Sequence, residues 1–164
     1  DVARLEVKAN DKLAYVTQTT LSVDDAAAVV NALKQKFPAI VGPKKDDICY
    51  ATQNRQDAVK KLSAAAEVVI VVGSPNSSNS NRLREVASQK GVRAHLVQNA
   101  GEINPIWLEG VKRVGVTAGA SAPEVLVTGV RRRLATLGVD SEREMVGIRE
   151  SVSFRLPSVR APAI

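Results

Sequence analysis

An unbroken apolar run at positions 68–72, Val-Val-Ile-Val-Val, leads through Gly73 into a loop of Ser, Pro and Asn at 74–81, and a helical pattern follows from Arg82. The same order of apolar run, hydroxyl-rich loop and helix recurs at 15–25 and 116–125, a weak internal repeat. A continuous apolar run reads as a strand buried on both faces, the condition of a parallel sheet covered by helices. The repeat therefore predicts an α/β fold of parallel-sheet modules with flanking helices. In such a sheet the loops after the strands lie at the carboxyl ends, where ligands bind, and parallel strands bring them to one side.

The core must be built from Val, Ala, Leu and Ile, because aromatic residues make up 3% of the 164 residues against 45% apolar. No apolar stretch is long enough to cross a bilayer, and residues 1–10 alternate charged and apolar side chains unlike a signal peptide, so no membrane role and a cytoplasmic location are expected. A single cysteine, Cys49, excludes an internal disulfide and cannot form a metal site alone. The net charge of +6 attracts phosphates, nucleic acid and acidic proteins alike. With no aromatic interleaving and no nucleic-acid motif, nucleic acid is not expected as a partner. The chain opens on Asp1 and its sole methionine is Met145, which suggests a segment upstream.

Along the chain, a strand is expected at 13–16, then a helix with Ala26, Val29, Val30, Leu33 and Phe37 on one face until Pro38. The Gly, Pro and charged stretch at 41–47 marks a module boundary. Beyond it come a helix at 52–65 with Ala58, Val59, Leu62 and Ala65 inward, the strand 68–72, a helix at 82–90 and a strand at 92–97. A short helix at 105–108, a strand at 114–117 and a helix at 123–137 closed by Gly138 complete the module. Val152, Phe154 and Leu156 alternate with polar residues as an edge strand would.

The loop 74–81 is almost entirely small hydroxyl and amide side chains placed before a helix, which reads as an anion cradle. A helix cap needs one such residue, and the surplus points to a phosphate or diphosphate. Ser121 and Glu124 fit a capping box, which is sufficient for that loop by itself, although the Ser121 hydroxyl could also complete a wall beside Ser77 and Ser78. Ser22 and Asp25 form a similar box after a loop, 17–20, that carries more hydroxyls than a turn requires. Cys49 precedes a helix N-terminus but lacks a base, since His95 reads as a surface residue of a strand. Arg131, Arg132 and Arg133 suit the carboxyl end of the last helix.

Read together, these segments resemble the 4-hydroxy-3-methylbut-2-enyl diphosphate reductase (IspH/LytB) family. The motif Asp-Asp-Ile-Cys-Tyr-Ala-Thr-Gln-Asn-Arg-Gln at 46–56 looks like a family signature. Asn-Ser-Ser-Asn-Ser-Asn-Arg-Leu at 76–83 and Gly-Val-Thr-Ala-Gly-Ala-Ser-Ala-Pro at 115–123 are similar to its diphosphate loops, and Thr-Gln-Thr-Thr-Leu-Ser at 17–22 to an active-site loop. The resemblance runs from about Lys12 to Gly138 in the family's order.

It implies a fold of three α/β modules around a central cluster, of which this chain holds the C-terminal half: residues 1–45 end the second module, 46–138 form the third, and 139–164 are a tail. The implied reaction is a two-electron, two-proton reductive dehydroxylation of (E)-4-hydroxy-3-methylbut-2-enyl diphosphate to isopentenyl and dimethylallyl diphosphates, with a ferredoxin or flavodoxin as donor. By the match, Cys49 is one of three ligands of a [4Fe–4S] cluster, Ser77, Ser78, Asn79 and Ser121 grip the diphosphate, and Thr19 lies beside the substrate in its proton-delivery network. The other two cysteines, the substrate-binding histidines and the catalytic glutamate belong to the N-terminal half and have no counterpart here, so the chain alone is expected to be inactive. The competing expectations are a phosphate-ligand binding module without redox chemistry, or half of a split enzyme.

Overall fold

The protein, seen in a computed structural model, is described over residues 1–8, 11–43 and 47–147. Its regular elements are α1 (Val23–Lys36), α2 (Tyr50–Ala65), β1 (Val68–Val72), α3 (Ser78–Gln89), β2 (Arg93–Val97), β3 (Val114–Ala118) and α4 (Glu124–Thr136), with 3-10 turns at Val2–Arg4, Ala100–Glu102 and Pro105–Leu108. The three strands form one parallel sheet in the order β2-β1-β3, with Val68 level with Arg93 on one side and Val114 on the other.

The apolar run at 68–72 is the central strand for a physical reason: all five of its side chains are buried. Alternation sends Val68, Ile70 and Val72 into a core with Val97, Ile103, Val130 and Leu134 beneath α4, and Val69 and Val71 into a second core with Val59, Leu83, Val86 and Ala87 beneath α2 and α3. Each such aliphatic side chain contributes roughly 1.5–3 kcal/mol on burial, so both faces of β1 hold the module together. The expected α/β architecture is therefore observed, with helices on either side of a parallel sheet.

Residues 13–41 stand apart from these two cores. The strand expected at 13–16 is reduced to one parallel bridge, Ala14 to Val41, held by Tyr15 N to Val41 O and Val41 N to Leu13 O at 2.9 Å each. The apolar run was present, but a strand also needs a partner long enough to continue the ladder, and none is found among the described residues. Helix α1 ends at Lys36, just before Pro38, as expected, yet buries none of its residues, and Val29 is half exposed. Its carboxyl end is tied down by Lys36, whose Nζ donates to the carbonyls of Val2, Ala3 and Leu5 at 3.1, 2.6 and 2.8 Å.

Two other expectations shift. Helix α3 starts at Ser78 rather than Arg82, because the Ser77 hydroxyl accepts from Ser80 N at 3.2 Å and so caps a first turn of Ser and Asn that propensity disfavours. Helix α4 has Pro123 at its N-cap and no side-chain cap bond, so the Ser121–Glu124 box does not form; the loop instead turns through Ala122 N to Gly119 O at 3.0 Å. Gly138, at φ 101°, closes α4 in the left-handed conformation that glycine adopts readily. The alternation at 152–156 lies outside the described residues. Among the described residues, no helix is long and apolar enough to cross a membrane.

His95 is not the surface residue its strand pattern suggested. Its ring lies flat on Trp107, with centroids 3.8 Å apart and planes 3° from parallel, and its Nε2 is shielded without a hydrogen-bond partner among the described residues. The cause is tertiary: the 3-10 turn Pro105–Leu108 folds Trp107 back over β2. Burial first, and the nearby Arg93 charge second, hold the His95 pKa below its ordinary 6.5. The folded state thus takes up the proton less readily than the unfolded chain. The contribution of neutral His95 to stability is present above pH 6.5 and is lost as pH falls from there through the folded pKa. Equilibrium unfolding followed by the fluorescence of Trp107, the chain's one tryptophan, is expected to show this slope, and His95→Phe to remove it; an equal slope in the variant assigns the effect elsewhere.

Candidate functional site

The ends of β1 and β3 carry glycines that admit one side chain between them. A Cβ built on Gly73 or on Gly119 would stand 2.2 Å from Ser80 Oγ, and Ser80 is buried. Gly73 N donates to Val97 O and Gly119 N to Val72 O, both at 2.9 Å, so each glycine still continues the sheet ladder. Ser80 is thereby wedged against both loops, and the N-terminus of α3 sits over the carboxyl ends of β1 and β3. That places the unsatisfied N–H groups of a helix end where the parallel sheet leaves a crevice.

Ser77, Ser78 and Asn79 come together at this helix end. Ser77 is engaged as the cap, its hydroxyl also accepting from Ser80 Oγ at 3.1 Å. Ser78 is exposed and lines a cavity of about 340 Å³ shared with Gln18, Thr20, Leu21, Asn76 and Asn81. Both polar atoms of the Asn79 side chain, Nδ2 and Oδ1, are shielded from solvent and have no hydrogen-bond partner among the described residues. A buried amide left unpaired costs about 1–3 kcal/mol, which makes Asn79 an unusual feature of a surface helix turn.

Ser121 is exposed in the loop after β3 and does not line that cavity, although Gly119 brings its loop against Asn79: a Cβ on Gly119 would lie 3.7 Å from Asn79 Nδ2. The nearest arginine on α3, Arg82, is engaged by Glu85 at 2.6 Å and faces Asp25 at 3.8 Å. A larger cavity, about 910 Å³, runs along β3 between α2 and α4 and is lined by none of the candidate residues.

The second cluster surrounds the N-terminus of α2. Cys49 occupies the N-cap, exposed, with no side-chain cap bond. Its N–H donates to the carbonyl of Thr19 at 3.3 Å, so the two residues expected to meet the reacting end of a substrate are neighbours. The Thr19 side chain is exposed. The Asp47 carboxylate accepts from Thr17 N at 2.7 Å. Among the described residues, no three His, Cys, Asp or Glu side chains are grouped as a metal ion would require.

Sequence reasoning missed Gln56. The inner face of α2 was expected at Ala58, Val59, Leu62 and Ala65, but the buried residues are Thr52, Gln56, Val59 and Ser63. Their spacing lies on one helical face, so the period was legible; the polarity was not, because this face meets the backbone of residues 21–23 as well as the sheet. Gln56 Nε2 donates to Leu21 O at 2.7 Å and its Oε1 accepts from Val23 N at 2.9 Å. Outside, Lys60 Nζ pairs with Asp24 at 2.7 Å, and that bond is the main cause holding the Asp24 carboxyl below its usual range.

Known proteins are similar to this chain in sequence and in fold. The 4-hydroxy-3-methylbut-2-enyl diphosphate reductase of Azoarcus sp. (strain BH72) is 66% identical over 157 residues, 96% of this chain and 50% of that protein. The enzyme of the same name from Aromatoleum aromaticum is 68% identical over the same shares. Among solved structures, the E-1-hydroxy-2-methyl-but-2-enyl-4-diphosphate reductase from Plasmodium falciparum superposes with a TM-score of 0.74 at 38% identity, covering 82% of this chain and 42% of that one. The chain thus spans about half the length of the curated relatives it matches. The profile described as LytB protein matches residues 1–135, and with that extent and these identities the chain belongs to the LytB protein family.

Proposed function

We propose that this chain is the diphosphate-holding part of a 4-hydroxy-3-methylbut-2-enyl diphosphate reductase. The observation that carries the reading is the unpaired, shielded Asn79 amide at the N-terminus of α3, over the ends of β1 and β3. A diphosphate satisfies that amide and the open helix N–H groups at once, and the dipole favours its charge. Ser78 and Ser121 add hydroxyl donors from two sides. Ser77 holds the turn in shape, and its oxygen, already a cap acceptor, can give its proton to a phosphate oxygen.

Cys49 fits one ligand position of a [4Fe–4S] cluster: its side chain is exposed, makes no cap bond and is in no disulfide. This chain, with one cysteine, supplies one of the ligands, and the others come from a second half. When bound, such a cluster would supply electrons and the Lewis acidity that loss of the substrate hydroxyl needs. The substrate loses its C–O bond, the hydroxyl takes up one proton and leaves as water, and the carbon skeleton gains two electrons and a second proton, with ferredoxin or flavodoxin as the source of electrons. Thr19, beside Cys49, places a hydroxyl where the departing oxygen needs a hydrogen-bond partner. Residues 46–138 form the module that carries Cys49 and the diphosphate residues, residues 1–45 end the preceding one and bring Thr19, and 139–164 are a tail.

The test is anaerobic purification of the protein that contains these residues, followed by iron and sulfide analysis and assay with the allylic diphosphate and a reduced ferredoxin or flavodoxin. Bound cluster with dehydroxylation is the expected result. Tight binding of the diphosphate without iron would instead make this a phosphate-ligand module without redox chemistry.

A further inference from the structure

We infer that Gln56 is a positioning residue for the Thr19 loop, an inference that rests on the reading of Thr19 given above. The loop is attached to the α2 region at every second residue. Asp47 Oδ2 accepts from Thr17 N at 2.7 Å, Cys49 N donates to Thr19 O at 3.3 Å, and Gln56 bonds Leu21 O and Val23 N at 2.7 and 2.9 Å. Of these attachments, Gln56 makes the two that come from a fully buried side chain. Hydrogen bonds partly shielded from water are stronger than exposed ones, and loss of these two leaves the Leu21 carbonyl and the Val23 N–H without their side-chain partner.

The geometry joins two parts that must keep a fixed separation. Helix α2 begins at Cys49, and Thr19 lies between its own two anchors. Ser22, which caps α1 through Asp25 N at 3.2 Å, is itself buried and lies in the chain between the two residues that Gln56 bonds, so the loop's exit into α1 is set there as well. Gln56 therefore sets the distance between the Thr19 hydroxyl and the Cys49 sulfur while touching neither. Among the described residues, Ser77, Ser78 and Asn79 make no hydrogen bond to Gln56 or to this loop, although Gln18, Thr20 and Leu21 line the cavity beside Ser78.

The experiment uses the cluster-loaded protein with Gln56→Met, which conserves volume and removes both hydrogen bonds, beside Gln56→Glu, which keeps the acceptor for Val23 N and loses the donor to Leu21 O. Expected for Gln56→Met is a fall in kcat of about 10- to 100-fold, the scale of a small misplacement of a reacting group, with KM and iron content unchanged and faster amide exchange over residues 17–23. Gln56→Glu is expected to give a smaller loss of the same kind, and serves if the methionine variant does not fold. Unchanged kcat in whichever variant folds, or a loss that tracks melting temperature and iron content, overturns the inference. Thr19→Val, measured alongside, separates the two readings. If it lowers kcat while the Gln56 variants do not, the positioning role alone fails; if it leaves kcat unchanged, the reading of Thr19 fails and the positioning role with it.

Discussion

Cys49→Ser is expected to remove the cluster from the assembled reductase and to lower its activity by more than about two orders of magnitude, since even an outer-shell partner of a metal ligand is worth ~10–100-fold. The thiolate is the soft ligand that iron–sulfur clusters require, and a serine hydroxyl is not a substitute. What makes the prediction sharp is that the fold has no stake in the sulfur. Cys49 is exposed at the N-cap of α2 and its side chain makes no cap bond. Serine is among the preferred N-cap residues, so α2 should be as stable or more so. Iron and sulfide content, visible absorption and turnover should collapse together while far-UV circular dichroism and melting temperature hold. A variant that keeps a full cluster would show that Cys49 is not a ligand.

Asn79→Leu is expected to separate stability from binding in opposite directions. Leucine has nearly the shape of asparagine, is a better helix former, and carries no polar atoms to leave unpaired. Because Nδ2 and Oδ1 of Asn79 are shielded and without partners, their removal should stabilise the ligand-free protein by about 1 kcal/mol. The same change deletes a hydrogen bond to a charged group, worth about 1.5–3 kcal/mol, so affinity for inorganic pyrophosphate and for the substrate should weaken by about 10- to 100-fold. Calorimetric titration and thermal unfolding of one preparation read both quantities. If stability falls instead, or affinity is unchanged, the amide has a structural partner and the anion is held elsewhere.

The two sites differed in how far they could be read from residues alone. The loop proposed as a cradle stood out because a run with more Ser and Asn than one cap can use is an anomaly of composition, visible without coordinates. Its extent was not: half of the expected loop, from Ser78 onward, is the first turn of α3. Ser80 shows why. Its role depends on Gly73 and Gly119 being close in space though distant in the chain, so that a serine in a polar run becomes a buried wedge. The proximity of Thr19 and Cys49 likewise followed from family resemblance and not from any local pattern.

The sequence by itself determined the class of fold, the central strand and most element boundaries, because those follow from period and from chain-breaking residues, which act over a few neighbours. It also marked the loops that carry hydroxyls and the one thiol. The tertiary structure alone decided which partner covers each face. It made Gln56 a buried clamp where aliphatic residues were expected, laid His95 on Trp107, left α1 without a core and cut the strand at 13–16 to a single bridge. The physical reason is common to all four: periodicity states which side chains share a face, whereas burial and hydrogen bonding depend on what distant segment meets that face, and that is settled only when the chain is packed.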